Sequence, residues 1–188
     1  MKQTKSMKDK KGFLFSLLLV FALLALAGCG EEEVVFDPSA AQQGPIQVGD
    51  PIRDFTAKLV DGNSFTLSEQ EGKVVLMNFW ATWCGPCVKE MPAFDMLLEE
   101  YGDQISILAV SCDTDAQAAK DFLEEEGFGF PAVLDPMGSI QSLYPTDGIP
   151  YSVLIDQEGT VVETVLGGGD AETVFAHYKE LIDPLLAE

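Results

Sequence analysis

"NFWATWCGPCVKEMP", from Asn78 to Pro92, decides how this chain is read. Two of its four cysteines stand three residues apart around Gly85-Pro86, directly after an apolar run. That run, "KVVLMNFW" (Lys73–Trp80), is rich in strand formers and nearly unbroken, as expected of a strand buried on both faces. Beyond the cysteines, Val88, Met91, Phe94, Leu98 and Tyr101 recur at three- and four-residue steps, which predicts a helix. Cys84 and Cys87 therefore sit where a buried strand gives way to a helix. Backbone N–H groups in a first helical turn lack intrahelical acceptors, and the helix dipole is positive there. A thiolate at that place is stabilised and becomes nucleophilic near neutral pH. Residues at i and i+3 share a helix face, so the two sulfurs can bond with modest adjustment. Pro86 suits the first turn, and Gly85 lets a partner approach closely. This reading predicts a reversible dithiol/disulfide switch. The alternatives are a zinc half-site, which needs two more soft ligands where only Cys112 and His177 remain after Cys29, and a purely structural disulfide.

Outward from the motif, strand and helix signals alternate. Extended stretches at Phe55–Leu59 and Ser64–Thr66 flank Asp61-Gly62-Asn63, a hairpin signal. "ISILAV" (Ile105–Val110) reads as a second buried strand, Asp115–Glu126 as a helix stopped by Gly127, "PAVLD" as a brief strand and Ser139–Tyr144 as a short helix. "YSVLID" and "TVVETVL" form a hairpin around Gln157-Glu158-Gly159, and Ala171–Ile182 is a last helix before Pro184. Such alternation, closing on a hairpin and a helix, predicts a mixed α/β sandwich in a single domain, 50–188.

The first residues differ from the rest. Five lysines precede an apolar stretch from Phe13 to Ala27, short for a membrane span but suited to a secretory signal. It ends in Leu26-Ala27-Gly28-Cys29, which resembles a bacterial lipoprotein signal. On that reading residues 1–28 are removed, Cys29 carries the lipid, and 29–49 form a flexible tether. An uncleaved anchor or an ordinary signal are the alternatives, and each also places the domain outside the cytoplasm. The net charge of −20, from 11 basic and 31 acidic residues, argues against nucleic-acid binding, which needs clustered Lys and Arg.

"FWATWCGPC" resembles the active-site signature of the thioredoxin superfamily. With "DFTAKLVDGNSFTLSEQEGKVVLMNFWATW", "FGFPAVLDPMGSIQSLY" and "GIPYSVLIDQEGTVV", the likeness extends from about Gly49 to the C-terminus. In this wider match the chain resembles the extracytoplasmic TlpA/ResA-like branch of thiol-disulfide oxidoreductases. The resemblance implies a thioredoxin-like α/β fold, a central mixed sheet flanked by helices, with an N-terminal β-hairpin and a βα insertion. It makes Cys84 the attacking sulfur, Cys87 the resolving one, and Ile149-Pro150 a cis-proline loop that pairs with substrate backbone. It also makes Trp83, Gly85 and Pro86 substrate-facing, Trp80 a core residue and Pro92 a bend in the helix. Asn78 stands where cytoplasmic thioredoxins carry a buried Asp, and it takes no proton. Glu90, on the helix face of Cys87, matches an acidic residue of the branch and is the candidate for tuning the thiols or relaying a proton; its alternative is a surface carboxylate.

The implied reaction is membrane-anchored, extracytoplasmic thiol-disulfide exchange that reduces protein disulfides, with apocytochrome c during cytochrome c maturation as the leading family-level substrate. No cofactor beyond the Cys84–Cys87 disulfide is expected. The electron donor would be an integral-membrane carrier of the CcdA/DsbD type, close at hand because of the lipid on Cys29. A thiol peroxidase and a non-catalytic partner-binding lipoprotein are the rivals. Cys112 is expected to be a small buried hydrophobe, with a third redox thiol as the alternative, and His177 a surface residue.

Overall fold

The computed structural model describes residues 34–187. The expected signal, the expected lipidation site Cys29 and the first residues of the expected tether lie outside the described residues. Among the described residues no helix is long and apolar enough to cross a membrane.

The centre is a five-stranded sheet of order β6-β5-β4-β7-β8. Its strands are β4 (Val74–Trp80), β5 (Ile105–Ser111), β6 (Ala132–Leu134), β7 (Tyr151–Ile155) and β8 (Val161–Leu166). β5 runs parallel to β4 and β6 parallel to β5, while β7 and β8 are antiparallel to their neighbours. Four helices cover it: α1 (Gly85–Tyr101), α2 (Ala116–Glu126), the short α3 (Ser139–Leu143) and α4 (Ala171–Leu186). A second, three-stranded antiparallel sheet joins β1 (Val35–Phe36), β2 (Phe55–Lys58) and β3 (Ser64–Thr66). The predicted thioredoxin-like architecture, a mixed sheet flanked by helices, is thus present, and the expected N-terminal hairpin, β2–β3, is part of a three-stranded sheet.

All seven residues of β4 are buried. Successive side chains of a strand point to opposite faces, and both faces here are covered. Val74, Leu76 and Trp80 pack with α1 and α4 on one side. Val75, Met77 and Phe79 meet β2, β3 and α3 on the other. Burying one large apolar side chain contributes about 1.5–3 kcal/mol, so this strand alone is a rigid platform for whatever follows it.

Two expectations need correction. The tether does not reach Gly49. β1 pairs with β2 through Val35 and Phe36, Ile46 is buried, and the Gly49 N–H donates to the Val161 carbonyl at 2.8 Å. The buried Arg53 holds this segment, donating to the carbonyls of Gln43 at 2.9 Å and Gly44 at 2.8 Å. A turn-rich composition looks like linker, but a guanidinium nine and ten residues further on satisfies two of its carbonyls. The last helix also continues past Pro184 to Leu186. A proline so near a C-terminus forfeits a single bond, while Leu185 and Leu186 pack on the core and the Leu185 carbonyl accepts from Gln157 at 2.9 Å.

Candidate active site: a disulfide at the start of a helix

β4 ends at Trp80, and Ala81–Trp83 carry the chain to α1, whose N-cap is Cys84. The N-cap backbone is extended (φ −89°, ψ 93°), and the Cys87 N–H donates to Cys84 Sγ at 3.3 Å. The sulfur thus takes the place that a hydroxyl or carboxylate occupies in an ordinary cap. Cys84 and Cys87 are disulfide-bonded, with Cα atoms 5.3 Å apart. Cys87 is wholly buried, whereas Cys84 keeps 6% of its surface. An incoming thiolate or disulfide therefore meets Cys84 first. Gly85 and Pro86 are exposed beside it, and a Cβ on Gly85 would touch nothing within 4 Å. The glycine is thus not required by internal packing and leaves open space over the sulfur. Trp83 is 71% exposed at the rim, while Trp80 is fully buried against Phe122.

The loop before Cys84 is held by a residue that sequence reasoning passed over. Asp113, buried just beyond β5, accepts from the Thr82 N–H at 2.9 Å, the Thr82 hydroxyl at 2.7 Å and the Ser111 hydroxyl at 3.0 Å. Its only signal in the sequence is an Asp at the same sheet end as the cysteines.

The Ile149–Pro150 peptide bond is cis. β7 pairs with β4 so that Tyr151 lies opposite Phe79, which brings Pro150 beside the end of β4. Pro150 is buried and Ile149 half-buried against the cluster that contains both cysteines.

Glu90 is not a surface carboxylate. It is 3% exposed, one turn beyond Cys87 on α1. Its Oε1 accepts from Asn78 Nδ2 at 2.8 Å, and the same amide nitrogen donates to Ser152 Oγ at 2.9 Å. Burial pushes the Glu90 carboxyl up to about 7, against the opposing effect of the Asn78 hydrogen bond. A carboxyl poised there can hold or release a proton near neutral pH. Ser152 was not foreseen, being far from the motif in sequence.

Cys112 is a free, half-buried thiol. Burial, with the charges of Asp135 and Asp113, raises it to about 12, so it is a poor nucleophile. Its packing against the apolar cluster under the sheet fits the hydrophobe reading. His177 is exposed on α4, as expected.

A mixed sheet whose central strand delivers a disulfide to a helix start, beside a cis-proline, defines a thioredoxin-like redox domain. The chain belongs to the Redoxin family, whose model matches residues 47–182. A thiol-disulfide oxidoreductase ResA of Bacillus thuringiensis (strain Al Hakam) is 30% identical over 173 residues, covering 92% of this chain and 98% of the relative. Among solved structures, a Chlorobium tepidum protein described as a thiol:disulfide interchange protein, DsbE, matches with a TM-score of 0.68 and 31% identity, over 74% of this chain and 99% of its own. The exposed lipoprotein thioredoxin Etrx1 of Streptococcus pneumoniae strain TIGR4 matches with a TM-score of 0.57 and 30% identity, over 68% and 98%. Site and relatives agree: this protein is an oxidoreductase of thiols and disulfides.

Proposed function

We propose that the protein is a lipid-anchored, extracytoplasmic reductase of protein disulfides. The observation that carries the redox role is the capped sulfur of Cys84, more accessible than Cys87 and bonded to it at a helix N-terminus. In the reduced enzyme the Cys84 thiolate attacks one sulfur of a substrate disulfide. The new S–S bond links Cys84 to the substrate, and the other substrate sulfur leaves as a thiolate that takes a proton. Cys87 then loses its proton, for which Glu90 is the nearby acceptor, and attacks Cys84. The second substrate thiolate departs, and Cys84–Cys87 is left oxidised. Two electrons have passed from enzyme dithiol to substrate.

Each turnover needs a dithiol donor to restore the pair. A membrane carrier of the CcdA/DsbD type, reached from a lipid on Cys29, supplies it in this reading, and apocytochrome c is the leading substrate. Support for the anchor comes from the Leu26-Ala27-Gly28-Cys29 sequence and from the likeness to an exposed lipoprotein thioredoxin. Trp83, Gly85, Pro86 and the backbone of Ile149 and Pro150 form the substrate-facing rim.

The test is trapping with Cys87→Ala in cells that carry the full chain. A stalled mixed disulfide between Cys84 and a protein thiol is the expected product, and mass spectrometry identifies the partner. Equilibration of the purified pair with a dithiol buffer gives its reduction potential. A value near that of strong oxidants would reverse the proposed direction.

A further inference from the structure

We propose that Gly168 is a positioning residue for Glu90: the bare backbone at 168 lets the buried carboxylate lie between the cis-proline loop and a groove open to water. The inference rests on the role given to Glu90 above.

Three consecutive glycines, Gly167-Gly168-Gly169, join β8 to α4, and they are not equivalent. Gly167 has φ +101°, a conformation that favours glycine whatever surrounds it. Gly168 and Gly169 have no positive φ, so the turn itself asks for no glycine at either. A Cβ on Gly169 would make ordinary contact, 3.6 Å from Val174 Cγ2. A Cβ on Gly168 would collide with Glu90 Oε2 and fall 3.0 Å from Glu90 Cδ and 2.9 Å from Pro150 Cγ. Only at 168, then, does the missing side chain serve the carboxylate and the proline. Nor is the loop free to withdraw, since the Gly167 N–H donates to the Pro150 carbonyl at 2.8 Å.

Glu90 and Gly168 both line a groove with Leu166, Thr173, His177 and Tyr178. One carboxylate oxygen is held by Asn78, and the other lies against residue 168. The titratable groups around Glu90 are Cys87 on its own helix and His177 and Tyr178 from α4, with Glu163 of β8 acting on Tyr178. β4 and β7 contribute the neutral Asn78 and Ser152. A methyl at 168 strikes the flexible end of Glu90 hardest, so the carboxylate is expected to swing out into the groove, while the Pro150 ring, 2.9 Å away, must also give a little. The carboxylate then becomes hydrated, and its pKa returns toward the ordinary carboxylate range.

The experiment uses the full-length reduced protein and the pH dependence of thiol alkylation by iodoacetamide, with Gly168→Ala, Gly169→Ala, Glu90→Gln and the Gly168→Ala/Glu90→Gln pair. Glu90 should add its own step to that profile, distinct from the thiol titration and expected near pH 7 in the wild type, and Gly168→Ala should move this step down by about one unit or more, a tenfold change in proton affinity. Gly169→Ala should leave it in place, and Gly168→Ala should add nothing once Glu90 is Gln. If Glu90→Gln alters the profile and Gly168→Ala does not, the inference is wrong and the role of Glu90 stands. A profile unchanged by Glu90→Gln removes that role and the inference with it. A further shift in the pair means that residue 168 acts through Pro150, which also overturns the inference. Should Gly168→Ala not fold, Gly168→Ala/Glu90→Asp, whose shorter acid clears the methyl, is expected to fold; if it too fails, the collision is with Pro150 and the inference is lost.

Discussion

The side-chain amide of Asn78 donates to Oε1 of Glu90 across 2.8 Å, joining the central strand to the helix that carries the cysteines. One nitrogen serves two acceptors, since it also donates to Ser152 Oγ at 2.9 Å. Asn78 cannot ionise, and among the described residues Glu90 is the only buried carboxyl on β4, α1 or β7.

Stability should therefore depend on pH through Glu90. Burial raises its carboxyl to about 7, above the ordinary value of 4.5. Between those values the folded state binds more protons than the unfolded, so stability falls as pH rises through that window and stays reduced above it. Glu90→Gln removes the dependence and stabilises the protein at about pH 8 by up to about 3 kcal/mol, with little change at about pH 4. Urea midpoints measured at both pH values check this. A wild-type profile flat across the window would contradict it.

The capped Cys84 should be the more acidic and more reactive thiol of the reduced pair. Half-maximal alkylation is expected about one pH unit or more below the ordinary cysteine value. Cys84→Ser should abolish catalysed insulin reduction, whereas Cys87→Ala should retain the first attack and accumulate mixed disulfide. Mass spectrometry of alkylated peptides separates the two sulfurs; equal labelling of both at neutral pH would refute the assignment.

Asp113 accepts three hydrogen bonds, two of them from Thr82, two residues before Cys84. Asp113→Asn keeps the shape but turns one acceptor oxygen into a donor. A cost of about 1–3 kcal/mol in stability is expected, together with slower insulin reduction as the loop loosens. Thr82→Val should show part of this loss and Thr82→Ser little of it. Equal rates for Val and Ser at position 82 would show that the hydroxyl bond is idle.

Arg53 ties the N-terminal segment to the domain from a buried position, donating to the carbonyls of Gln43, Gly44 and Leu143. Arg53→Met leaves those carbonyls without their cationic donor, at a cost of about 2 kcal/mol or more. Limited proteolysis should then cut between Asp37 and Asp50 faster than in the wild type, while thiol-disulfide exchange is retained. Unchanged cleavage would mean that β1 and Ile46 hold the segment unaided.

The strand before the cysteines was legible because its pattern is local. Val74–Trp80 is apolar almost throughout, and burial on both faces is the one arrangement that hides such a run. The cysteine pair was equally plain, since its spacing and its place at a helix start are properties of a few consecutive residues. Asp113 and Ser152 were not foreseen. They reach the site from just beyond β5 and from β7, 31 and 74 residues from their partners Thr82 and Asn78, and no local periodicity encodes such contacts. The tether was misjudged for the same reason, because Arg53 holds it through carbonyls that any residue could offer.

What the amino-acid order alone determined is the chemistry: a dithiol at a helix start, delivered by a doubly buried strand. What only the tertiary structure decided is the setting of that chemistry. It buried Glu90, faced it with an amide that cannot titrate, and laid it against a glycine and a cis-proline from distant segments. A carboxylate's proton affinity depends on how much water and charge surround it, and those neighbours are assembled only when the chain closes on itself.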